Sequence, residues 1–185
     1  MSERNTVIRS LHDLGAAAWF GGALMGAVGL NGATSDISRK SERAKIAADG
    51  WARWAPVNAT AIGAHLLGGL GLVLANRGHV RAQSGVTANT AVKTAITAAA
   101  MATTAYTGAL GAKIANAEDA HADAATTPSA WTPDEVAAAQ RKLRILQWAT
   151  PALTAVIVIL SAQQGEQQRP AEILRGVRDK IGGRR

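Results

Sequence analysis

From Leu14 to Leu30 the chain carries no charged side chain, and the apolar block around this stretch runs from about Leu11 to Thr34. At about 1.5 Å of rise per residue, such a block is long enough to cross roughly 30 Å of hydrocarbon as a single helix. Lipid offers no partner for a free backbone N–H or C=O, so a helix is the form such a stretch must take there. Arg4 and Arg9 ahead of the block also suit a cleaved leader. Cleavage after Ala33 would put Asn31 where a small residue is required, however, so a retained span is expected.

Three more blocks follow, at 54–76, 87–114 and 143–162. The third is built from Ala and Thr, with Lys93 near one end, and the fourth contains the run LTAVIVIL. No period-2 pattern interrupts them. The expected fold is all-α: one polytopic membrane domain over residues 1–185, a four-transmembrane-helix up-down bundle ending in a basic tail, 163–185. Composition agrees, because Ala leads the 48% of hydrophobic residues, with one Phe and one Tyr, too little bulk for an ordinary soluble core.

The connections carry the charge. Residues 35–53 hold Arg39, Lys40, Arg43, Lys45 and Arg53, and SERAKIAADGWARW reads as an interfacial helix leading into the second span. Trp51 and Trp54 mark the headgroup level. A polar turn through Gln83–Gly85 makes the second and third spans antiparallel neighbours. In the longest connection, Thr132 is the expected N-cap with Pro133 at the first helical position. Pro151 is expected to kink the fourth span one turn after Trp148. The tail segment AEILRGVRDKI reads as an amphipathic surface helix. Lys and Arg divide almost evenly between the two sides, but the basic tail and the acidic start of the third connection favour cytoplasmic termini in the plasma membrane.

A formal charge of +7 raises the question of nucleic acid. The basic residues flank apolar blocks and line no helical face, so anionic lipid headgroups are the expected counter-charge, with no nucleic-acid partner. With no Cys, the chain has no disulfide, thiolate metal site or cysteine nucleophile.

Small residues recur every four positions: Ala18, Gly22 and Gly26 in the first span, Ala59–Gly63 and Ala64–Gly68 in the second, and Ala95, Ala99, Thr103, Thr107 and Gly111 in the third. Such strips let backbones approach closely. An Ala-rich composition supplies part of the spacing, but the Gly pairs at 21–22 and 68–69 need a separate reason.

Four histidines are the remaining chemical candidates. His12 and His79 would lie at one membrane face and are the pair that could hold a haem. His65 falls near mid-bilayer and needs a partner such as Asn58, Thr60 or a Thr of the third span; it is interhelical glue or a polar relay. Glu118, Asp119, His121 and Asp123 form an acidic cluster without calcium-loop spacing, so no metal site is expected. No phosphate loop, nucleophile elbow or His-Glu-x-x-His helix is present, which argues against an enzyme.

The opening His12…Trp19-Phe20-Gly21-Gly22 resembles the His…Trp-x-Gly-Gly start of CopD-type copper-resistance membrane proteins. The remaining spans lack the Met/His clusters that copper transport would imply. Over its whole length, and above all in WARWAPVNATAIGAH, the chain resembles uncharacterised four-helix membrane proteins of high-GC actinobacteria, which implies architecture and no activity. The expected role is a non-enzymatic accessory or scaffolding subunit, packed against other membrane subunits or further copies of itself. The alternatives are a small-molecule or lipid transport component with a polar path near His65, and a haem- or metal-binding electron-transfer subunit.

Overall fold

The computed structural model describes residues 5–75, 84–117 and 121–167 of the 185. Helix α1, Thr6–Met25, continues through a π-helical turn at Gly26–Leu30 and a short helix Asn31–Ala33 into a 3-10 turn at Thr34–Asp36. Helix α2 spans Lys40–Ala75 and α3 spans Ser84–Ala115. A small antiparallel hairpin, β1 (Ala122–Ala124) and β2 (Thr127–Pro128), leads to α4 (Asp134–Leu146) and α5 (Ala149–Gln167). Among the described residues the protein is therefore all-α apart from this hairpin. His79 and the tail segment AEILRGVRDKI lie outside the described residues.

Among the described residues, three stretches are long and apolar enough to cross a membrane: Thr6–Asp36, Lys40–Ala75 and Asp134–Gln163. Helix α3 has the length without the hydropathy, because threonine hydroxyls and Lys93 dilute its alanines. The interfacial segment expected after residue 35 and the second span form one continuous rod, with Pro56 inside it. Pro56 has no N–H to give the Ala52 carbonyl, and its own carbonyl accepts a second bond, from the Thr60 hydroxyl at 2.9 Å.

Contacts fix an up-down arrangement. Ascending α1 meets descending α2, from Gly15 beside Ala61 to Gly22 and Gly26 beside Trp54 and Trp51. Trp19 of α1 pairs with Thr104 of α3, and Lys93 with His12, so these two helices run parallel. Asn31 at the end of α1 reaches Gln147 at the start of α5.

Two core clusters result. One, around Ala16, Trp19, Ala100 and Ile157, lies within the bundle. The other, around Ala44, Leu110, Ile114, Ala122, Val136 and Ala139, closes one end beneath the hairpin. Thr34 Oγ1 accepts from the Ala125 N–H (2.8 Å), Gln140 Nε2 donates to the Ala125 carbonyl (3.2 Å), and exposed Lys40 pairs with Asp123 (2.7 Å).

Two local expectations are corrected. Helix α4 begins at Asp134, one residue late: Pro133 is the cap, while the Thr132 hydroxyl accepts from the Ser129 N–H and donates to the His121 carbonyl. Pro133 has an extended backbone (ψ 142), so it precedes the helix and does not open it. Pro151 produces a break at Gln147–Trp148, upstream of itself and of the expected kink. The carbonyl deprived of its partner is the one four residues before the proline, and there the Trp148 N–H turns to Ile145 in a tighter i,i−3 bond of 3.3 Å.

Candidate functional site

Two groups of interior polar residues share Trp19. In the first, His12 and His65 stack with ring centroids 4.1 Å apart. His12 Nδ1 lies 2.8 Å from the His65 carbonyl and His65 Nδ1 lies 3.1 Å from the His12 carbonyl. A carbonyl only accepts, so both rings donate from Nδ1 and carry their lone pair on Nε2. Both Nε2 atoms face α3, with Lys93 Nζ 3.2 Å from that of His12 and Thr97 Oγ1 3.5 Å from that of His65. His65 thus reaches a threonine of the third helix, while Thr60 bonds within its own helix.

The histidines meet because glycines bring the backbones together. A Cβ at Gly15 would stand 2.5 Å from the Ala61 carbonyl, and one at Gly68 would stand 2.5 Å from the His12 nitrogen. Only glycine fits either position. Numbering had put His12 at a membrane face and His65 in the middle; α1 begins at Thr6, which carries His12 inward to the level of His65. Both nitrogens of His12 are engaged, and His79, its candidate partner for a haem, lies outside the described residues.

Trp19 is fully buried, turns the edge of its ring toward His65 and donates from Nε1 to Thr104 Oγ1 at 3.2 Å. Its far side is the inner end of the second group, a slot of about 630 Å³ between α1, α2 and α3. The slot runs along α2 from Ile62 to Ala44 and along α3 from Thr104 to Asn116. Trp51 and Trp54 stand across it from α3, their rings laid on Gly26 and Gly22 of α1. Ala52, Ala55 and Ala59 of α2 and Gly108, Ala112 and Ala115 of α3 are exposed lining residues, so the slot opens sideways between these helices.

Trp51 Nε1 donates to Asn31 Oδ1, and Asn31 Nδ2 donates to Gln147 Oε1, both at 2.9 Å, joining α1, α2 and the α4–α5 break. Trp54 differs from its neighbours Trp19 and Trp51. Its Nε1 is buried without an acceptor, and one turn along the helix the Oδ1 of Asn58 is buried without a donor. Such an atom costs about 1–3 kcal/mol, which marks this helical turn as unfinished within the protein. No ionisable side chain lines the slot among the described residues.

The expected packing residues divide. Gly22, Gly26 and Gly68 are buried at the α1–α2 contact, whereas Ala18 is exposed and a Cβ at half-buried Gly63 would meet nothing within 4 Å. In α3, Ala95 and Ala99 are exposed, Thr103 is half-buried and bonds back to Ala99, and Thr107 and Gly111 line the slot. Each i+4 step turns about 40° around a helix of 3.6 residues per turn, so a row of five sweeps roughly 160° and cannot stay on one face. The inward seam is Thr97, Ala100, Thr104, Thr107, Gly111 and Ile114, spaced alternately three and four apart. Of the acidic cluster, Asp123 is paired with Lys40, and Glu118 and Asp119 lie outside the described residues.

The chain matches no protein-family model, no curated protein and no solved structure.

Proposed function

We propose that the chain is a four-span plasma-membrane protein, with both termini in the cytoplasm, that binds a small molecule taken from the bilayer and serves as a carrier or receptor component, not an enzyme. The observation supporting this is the slot of about 630 Å³, within the size range of small-molecule sites, walled by three tryptophans and open through a frame of Ala and Gly between α2 and α3. A recess of this size lined by apolar atoms is costly unless something fills it. The accessory-subunit reading drew on small-residue faces. Gly15, Gly22, Gly26 and Gly68 are already used within the chain, leaving that reading with less to stand on.

The test is extraction in mild detergent followed by intact-mass measurement under non-denaturing conditions. The wild type is expected to carry a bound small molecule, and Gly108→Leu, whose side chain would grow into the slot, is expected to lose it. Equal occupancy in both would remove the proposal. Release of the protein from membranes by alkaline washing without detergent would remove the membrane assignment beneath it.

A further inference from the structure

Building on the proposal that the slot binds a small molecule, we infer that its occupant is an uncharged, hydroxyl-bearing, elongated lipid. Three observations point to this class.

Charge comes first. Asn, Gln, Thr and Trp are the only polar types lining the slot, and no Asp, Glu, Lys, Arg or His is among them. A carboxylate, phosphate or ammonium entering there would leave water without finding an opposite charge, a penalty that a neutral molecule avoids.

Shape comes second. The walls extend about 27 Å along α2 and about 18 Å along α3 at 1.5 Å per residue. The space is therefore longer than it is wide, and an occupant lies along the helices.

The third observation is the pair of atoms left over on α2. Trp54 Nε1 is a donor without an acceptor, and Asn58 Oδ1 is an acceptor without a donor. The two residues lie one helical turn apart, and both border the slot. A hydroxyl group accepts from the first and donates to the second, completing both with one functional group. A carboxylate or ether oxygen can only accept, and an ammonium can only donate. Both atoms are sealed from the slot in this structure, Trp54 Nε1 against Gly22 of α1, so the occupant engages them once the two half-buried side chains turn toward it.

The experiment uses the full-length protein in detergent and four probes sharing one brominated chain: an alcohol, its methyl ether, a carboxylate and a trimethylammonium. Bromine quenches tryptophan emission on contact, and Trp19, Trp51 and Trp54 report from the slot walls. Gly108→Leu subtracts quenching that occurs from the micelle, and Gly111→Leu is the second blocking variant, since a Cβ at either position meets nothing within 4 Å. The expected result is slot-specific quenching by the alcohol at roughly tenfold lower concentration than by the ether, with the charged probes weaker still. In Asn58→Leu the alcohol should lose its advantage over the ether. Equal or better binding of the carboxylate or the ammonium overturns the inference while leaving slot binding intact. An ether equal to the alcohol overturns the hydroxyl assignment. Quenching by all four probes that neither blocking variant reduces means that the slot takes no ligand, and the proposed function fails with it.

Discussion

Helix α2 faces α1 on one side and α3 on the other, and it meets both with small residues. Toward α1, Gly68 and Ala61 close down until backbone touches backbone, and the two buried histidines clip the helices together through each other's carbonyls. Toward α3, Ala52, Ala55 and Ala59 confront Gly108, Ala112 and Ala115 without closing. The difference lies in what stands beside the small residues. Trp19, Trp51 and Trp54 fill the angle between the helices like spacers, and removing side-chain volume opposite a spacer creates room instead of contact. A small residue is thus a means to proximity or to volume, and the large neighbour decides which.

Substitutions can break or sharpen this contrast. The largest effect is expected for Gly68→Leu, which drives a side chain into the α1 backbone; unfolding in detergent should show a loss of about 3 kcal/mol, and an unchanged midpoint would refute the close approach. Next is His65→Leu, which deletes a bond to the His12 carbonyl and the stack on its ring, for about 2 kcal/mol by the same measurement. On the open side, Gly108→Leu should leave stability unchanged or raise it by up to about 1 kcal/mol, since helix propensity improves where a side chain has space. A loss comparable to that of Gly68→Leu would mean that the second interface is as tight as the first.

The smallest effect is expected at the bundle end, where Lys113 pairs with fully exposed Glu135 at 2.9 Å and its hydrogen bond holds that carboxyl below the usual range. A lowered folded-state value means that the contribution is complete above the ordinary carboxylate pKa and disappears as pH falls through the lowered one. Glu135→Gln should therefore cost a little stability near neutrality and converge with wild type in the acid limb of a stability profile. A gap that persists undiminished in acid would show that the loss does not come from the ionised pair.

What the sequence makes readable follows from the range of each signal. Charge-free runs give three helices their length and apolar character directly, because hydropathy is a sum over neighbours in the chain. The register of α1 on α2 is not such a sum. Gly15, which lies against the α2 backbone as closely as Gly68 lies against that of α1, belongs to no four-residue row and escapes a search for them. The slot is less legible still, because it exists only in the spacing between helices. Its one trace in the sequence is the Trp51–Trp54–Asn58 progression on α2, which reads equally well as a headgroup marker. Lys93, which the sequence shows only as a charge near one end of the third block, approaches a histidine 81 positions away.

The π-helical turn at Gly26–Leu30 has a consequence for how the chain tolerates change in length. By accommodating one residue more than an α-turn, it shifts the phase of everything after it by about 100°, and the first side chain past it, Asn31, is the one that meets Trp51 and Gln147. Straightening this turn into a regular α-helix at constant length would swing Asn31 away from both partners, whereas deleting one residue here would restore the regular helix and leave Asn31 in place, so this turn is where the helix can lose a residue and still tie three helices together.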